Sequence, residues 1–156
     1  MKIVFLDMYN SNPGDIDTAM FKDFGEFITY DRTNPSDIKE RIKDAGIVIT
    51  NKVRLGKAEL EGTKVKFIAE AATGFDNIDL NALKELGIGL ANVPSYSTYS
   101  VVQLTLAHLL NVTNDVYSYA KNVRNGEWVD SRDFNFFLGT IHELAGKTAG
   151  IVLSLI

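Results

Sequence analysis

Five short apolar runs punctuate the first 95 or so residues, and each is followed by a polar or mixed stretch. Ile3–Met8, Glu26–Tyr30, Ile47–Thr50, Val65–Ala69 and Ile88–Val93 are rich in β-branched and aromatic residues and bounded by turn residues, so they read as strands. Between them lie helical segments. Asp15–Phe24 suits a short helix stopped at Gly25. Asn34 is placed to cap a second helix, with Pro35 at its first position and Asp37 in its first turn; Ile38, Ile42 and Ala45 form its inner face, and Gly46 closes it. Gly56–Glu61 makes a helical turn, and Asp79–Leu86 a helix with Gly87 just past its end. Tyr9–Gly14 and Ala71–Asn77 are loops. Strands alternating with helices predict an α/β domain: a flavodoxin-like, doubly wound parallel sheet of five strands in the order 2-1-3-4-5.

After Tyr96 the pattern changes. Ser97–Arg124 reads as one long helix, with Ser100–Gln103 as a capping box and Asn125-Gly126 at its end. Its first half is apolar nearly all round (Val101, Val102, Leu104, Leu106, Leu109, Leu110, Val112), which predicts burial on several sides. Glu127–Gly139 is an irregular loop carrying Trp128, Phe134, Phe136 and Phe137, and Thr148–Ile156 is a terminal strand with no local partner. The expected division is therefore 1–96 and 97–156.

Composition narrows the function classes. A net charge of −4 with no basic stripe disfavours nucleic acid as a partner. The absence of cysteine removes disulfides, thiol nucleophiles and cysteine metal sites. No apolar run approaches the roughly 18 residues of a membrane span, so a cytoplasmic location is expected.

Several motifs, in this order and spacing, resemble the NAD-dependent D-2-hydroxyacid dehydrogenases, and among them the glycerate (hydroxypyruvate) dehydrogenase-like group. They are Thr50-Asn51-Lys52-Val53, the stretch Ala72-Thr73-Gly74-Phe75-Asp76-Asn77-Ile78-Asp79, and Asn92-Val93-Pro94-Ser95-Tyr96-Ser97-Thr98. Ser100–Gln103, Arg124-Asn125-Gly126-Glu127-Trp128 and His142–Thr148 continue the match. The resemblance implies a substrate domain over 1–96, then the long helix, the aromatic loop and the first strand of a Rossmann domain over 97–156. It implies that Asn51 and Lys52, and the small-residue loop Ala72-Thr73-Gly74, bind a small 2-hydroxy or 2-oxo acid at the C-terminal ends of strands. Small residues there let backbone amides meet a carboxylate. Thr105 is the weak candidate for contact with the nicotinamide, Gln103 is read as a cap, and Asp76–Asp79 as a helix start.

The family's dinucleotide turn should follow Gly150-Ile151-Val152. Leu153 and Leu155 stand at two of its glycine positions, where side chains would block approach to a pyrophosphate. The expectation is a truncated, inactive relative with no catalytic residue and no cofactor of its own, NAD belonging to the full-length family. His108 and His142 match no acid/base position, and no metal set is present. The unpartnered helix and strand predict a homodimer, formed by exchange of helices or strands. The alternative is a flavodoxin-like binding or dimerisation module without enzymatic activity.

Overall fold

The computed structural model describes residues 1–152. Five strands, β1 (Lys2–Phe5), β2 (Glu26–Thr29), β3 (Ile47–Thr50), β4 (Phe67–Glu70) and β5 (Gly89–Ala91), form one sheet in the order β2-β1-β3-β4-β5, with every pair parallel. The chain divides into two units at the boundary between Tyr96 and Ser97.

In the first unit the period of two sorts the strand residues onto two faces. Ile28, Val4, Val48, Ile68 and Leu90 pair in register across all five strands and face the main core. Val4, Val48 and Ile68 are fully buried, each contributing roughly 1.5–3 kcal/mol of burial. Three α-helices cover this face: α1 (Ile38–Ile42), α2 (Lys57–Leu60) and α3 (Leu80–Leu86) supply Ile38, Ile42, Leu60 and Leu83. The alternate row Phe27, Ile3, Ile47 and Phe67 faces the other side, where a 3-10 segment, Ala19–Phe24, stacks Phe21 on Phe27 at 4.7 Å. The order reverses between β1 and β3. Crossovers of one hand then put the first connection on one face and the later ones on the other, as observed.

Two glycines are dictated by this geometry. Gly25 enters β2 at φ 148°, and a Cβ there would lie 1.9 Å from the Met1 carbonyl oxygen. Gly87 ends α3 in the left-handed region (φ 67°, ψ 34°). At the start of that helix Asp79 accepts from the amides of Asn81 and Ala82, the capping role expected of it.

Several expected elements differ. The Asp15–Phe24 helix is only the 3-10 segment from Ala19. Its first residues are held in a loop by Asn12, whose Oδ1 accepts from the Gly14 and Ile16 amides at 2.9 and 3.1 Å while its Nδ2 donates to the Ile16 carbonyl. Asn34 precedes a 3-10 turn at Pro35–Asp37 without a side-chain cap; its amide donates to Asp37 instead.

In the second unit the single long helix is two, α4 (Thr98–Asn114) and α5 (Val116–Arg124), separated by Asp115 in the left-handed conformation (φ 48°, ψ 44°). Ser100 lies inside α4, and Ser97, at its N-cap, makes no side-chain cap bond, so Ser100–Gln103 is no capping box. Trp128 belongs to a short helix, α6 (Glu127–Asp130). The all-round apolar helix is not buried: within its unit α4 has no buried residue, and Leu104 and Leu106 are more than half exposed. Of the expected strand Thr148–Ile156, residues 148–152 are not in a strand; Leu153, Leu155 and the remainder lie outside the described residues. No helix among the described residues is long and apolar enough to cross a membrane.

Candidate functional site

An open parallel sheet exposes a crevice at the C-terminal ends of its strands, where the strand order reverses. Here that point lies between β1 and β3, and it is organised by Asp7, two residues past β1. The Asp7 carboxylate is buried. Its Oδ1 accepts from the Thr50 hydroxyl at 3.1 Å and the Asn51 amide at 2.9 Å; its Oδ2 accepts from the Lys52 amide at 2.7 Å and the Asn10 side-chain amide at 3.2 Å. Four donors in fixed directions replace the water this carboxylate would otherwise need. They lock the loop after β3 to the end of β1. Thr50 Oγ1 then accepts from the Val53 amide at 3.2 Å and tightens the same turn.

Asn51 reaches the other way, its Nδ2 donating to the Ala71 carbonyl at 2.7 Å. The loop it meets is tied in turn to the segment after β5. Asn92 Nδ2 donates to the Thr73 carbonyl at 2.8 Å, Thr73 Oγ1 to the Val93 carbonyl at 3.1 Å, and the Val93 amide to the Ala72 carbonyl at 3.0 Å. The carbonyls and the threonine hydroxyl are therefore engaged. The amides of Ala72, Thr73 and Gly74 make no hydrogen bond within the described residues. Gly74 is not in a left-handed conformation, and a Cβ there would meet only Asp76 Oδ2, at 3.9 Å.

Beneath this loop lies Glu70, the last residue of β4, almost wholly buried. Its Oε2 accepts from Asn77 Nδ2 at 3.1 Å, while its Oε1 is buried with no partner. Burial pushes the Glu70 carboxyl up to about 7; the Asn77 hydrogen bond and the Lys52 charge oppose the rise and the Asp7 charge adds to it. Asn77 also donates to the Val53 carbonyl at 3.0 Å, so one side chain joins the β3 loop, β4 and the start of α3.

Two hollows flank Asp7. The first, about 410 Å³, is lined by Asn10, Ser11, Asn51, Ala71, Val93 and Tyr96, and Ser11 Oγ there is buried without a partner. The second, about 570 Å³, includes Lys52 together with Arg32 and Arg54. The structure thus joins Asn51 to the loop that carries Ala72, Thr73 and Gly74, and sends Lys52 to the opposite side. Sequence reasoning missed Asp7, Ser11, Glu70 and the bridging role of Asn77. A buried charge two residues beyond an apolar run was the available signal for the first.

The dinucleotide implied by the resemblance does not fit the described residues. Thr105 Oγ1 donates to the Val101 carbonyl of its own helix at 2.8 Å, and no strand forms over 148–152. His108 and His142 are exposed in the second unit. Among the described residues no group of three or more His, Cys, Asp or Glu is placed to hold a metal.

Fold and motif order agree with comparison to known proteins. The sequence profile "D-isomer specific 2-hydroxyacid dehydrogenase, catalytic domain" matches residues 3–151, and the chain belongs to that family. It is 41% identical over 156 residues to a hydroxypyruvate reductase of Blautia hydrogenotrophica, covering 97% of this chain and 48% of that protein. It is 33% identical over 153 residues to a glycerate dehydrogenase of Methylorubrum extorquens, with the same coverage of each. Among solved structures, NAD+-bound 3-phosphoglycerate dehydrogenase of Entamoeba histolytica superposes with a TM-score of 0.61 at 29% identity, over 72% of this chain and 39% of that one. The chain spans about half the length of the curated relatives it matches.

Proposed function

We propose that the first unit is the carboxylate-holding part of an oxidoreductase acting on a small 2-hydroxy or 2-oxo acid, and that the 156-residue chain by itself transfers no hydride. The observation that carries the first half is the loop Ala72-Thr73-Gly74. Its carbonyls are tied back to Asn92 and Val93 while its three amides stay free. Amides fixed in this way hold a carboxylate without a competing cation and with little reordering on binding. Asn51 keeps this loop at its distance from the β3 turn, Asp7 keeps Asn51 in place, and Ser11 offers a hydroxyl in the adjoining hollow. The second half rests on chemistry. Hydride transfer needs a nicotinamide held against the substrate carbon and a group that moves the hydroxyl proton. Neither exposed histidine belongs to the unit that carries the loop.

Titrating hydroxypyruvate into labelled protein tests the reading by amide NMR. Saturable shifts centred on Ala72, Thr73 and Gly74 are expected, and glycerol, which lacks the carboxylate, should leave them unmoved. Shifts elsewhere, or none, overturn it. Adding NADH to the same sample should give no oxidation; turnover would overturn the second half.

A second proposal concerns assembly. The exposed apolar faces of α4, with Tyr99, Val112, Val129 and Phe134 each largely exposed, favour a homodimer that covers them by packing or exchanging helices. Light scattering at tens of micromolar should give twice the chain mass; a monomer there overturns it.

A further inference from the structure

The 570 Å³ hollow is not explained by the carboxylate loop, since none of Ala72, Thr73 and Gly74 lines it. Its floor is apolar, made by Pro35, Ile38 and Val53, and three cations line it from three different segments: Arg32 after β2, and Lys52 and Arg54 after β3. None of the three is in an ion pair among the described residues. Two carboxylates also line the hollow, but both are turned to their own backbone. Asp7 accepts from four donors, and Glu59 Oε2 accepts from the Gly56 amide at 2.9 Å. The positive wall is built on fixed backbone. Arg41 Nη1 donates to the Arg32 carbonyl at 2.9 Å and to Thr33 Oγ1 at 2.8 Å, and the Thr33 hydroxyl donates to the Leu6 carbonyl at the end of β1. The Arg32 guanidinium lies over the Tyr9 ring, 4.5 Å from its centroid, which limits its rotamers. Lys52 is fixed at its amide by Asp7.

We propose that this hollow is a binding site for a phosphate monoester with a short carbon body. A carboxylate, with one charge and two oxygens, is matched by a single guanidinium fork. A phosphate monoester carries close to two charges and three acceptor oxygens, and so engages two guanidinium groups and an ammonium together. The apolar floor and the volume leave room for the carbon body as well as the anion. The same Asp7 carboxylate forms one wall here and holds the Asn51 amide on the other side, so the two sites share a rigid partition. This proposal does not depend on the carboxylate loop binding anything.

The test is amide NMR of the full chain with glycerol 3-phosphate as probe, and inorganic phosphate and glycerol as controls. Saturable shifts confined to residues 32–38 and 52–59 are expected with glycerol 3-phosphate. Inorganic phosphate should bind several-fold more weakly, and glycerol not at all. Arg32→Ala and Arg54→Ala change exposed side chains and leave the fold in place; each should weaken glycerol 3-phosphate binding about fivefold or more. Shifts centred on residues 72–74, equal affinity for inorganic phosphate, or unchanged affinity in both variants would each overturn the proposal. Hydroxypyruvate shifts at 72–74 are read separately in the same spectra, so either site can fail alone.

Discussion

The two units of this chain solve the problem of burial in opposite ways. In the first, every buried residue falls between Ile3 and Leu83, and the fully buried ones come from strands and helices far apart in sequence. In the second, none of the described residues is buried, although α4 is the more apolar of its two longer helices. The first unit gains its stability from long-range pairing that removes one whole face of each strand from water. The second is held by local hydrogen bonds, which leave a helix of 17 residues marginal in water. Apolar composition alone is therefore no guide to where a core forms; what decides is whether the topology returns a second surface to cover the first.

The largest effect that separates the units is a core truncation. Ile68→Ala empties a fully buried position in the central row and should cost about 2–5 kcal/mol in urea unfolding. Leu106→Ala, in α4, should stay within about 0.5 kcal/mol for the monomer. A large, concentration-dependent loss at Leu106 would instead report a partner covering α4 and would sharpen the dimer proposal.

Next comes Asp7→Asn. The substituted amide can accept through only one oxygen and turns a donor toward a backbone N–H. A loss of about 2–3 kcal/mol is expected from a charge-assisted set of this kind. Hydrogen exchange should speed up first at the Asn51 and Lys52 amides, both of which donate to Asp7. Unchanged exchange there would mean that the partition between the two hollows does not rely on this carboxylate.

Much of the first unit was legible in the sequence because its signals are local. Ile47–Thr50 is the third strand residue for residue, the strand order follows from the alternation, and the Asp79 cap and the Gly87 stop stand where the pattern puts them. The site was less legible. Asp7 acts through residues 43 to 45 positions away, and Glu70 sits one residue beyond the apolar run that marked the fourth strand. Neither partner set leaves a trace in the flanking sequence. Lys52 and Asn51 are neighbours in the chain, yet the turn sends them to different hollows, a separation no motif records. The break in the long helix was hidden for a related reason: no glycine or proline marks Asp115.

Glu70 offers a pH test confined to the first unit. Its carboxyl is raised to about 7 in the folded chain from an ordinary value near 4.5. The folded state thus favours the protonated acid, and this contribution is fully present below about 4.5 and lost as pH rises through about 7. Unfolding free energy should fall across that window and level off above it. Glu70→Gln, which keeps an acceptor for Asn77 without the charge, should flatten the fall and stabilise the protein at pH 8 by about 1–3 kcal/mol. A slope that survives the substitution would assign the effect to another group.

The smallest effect tests the second unit alone. Asp115 holds the left-handed conformation between α4 and α5, where the Asn111 side-chain oxygen accepts from the Tyr117 amide at 3.3 Å. Asp tolerates this region better than most residues, but only Gly enters it freely. Asp115→Gly should therefore be neutral or stabilise by up to about 1 kcal/mol, whereas Asp115→Val should cost about 1 kcal/mol or more, because a β-branched side chain is an outlier there. Thermal melting followed by circular dichroism separates the two. If both variants lose helix signal relative to the parent, Asp115 itself is required at the break. If Asp115→Val melts higher and gains helix signal, the continuous helix written in the apolar pattern of Ser97–Arg124 is the conformation in solution, and the left-handed break between the two helices is not.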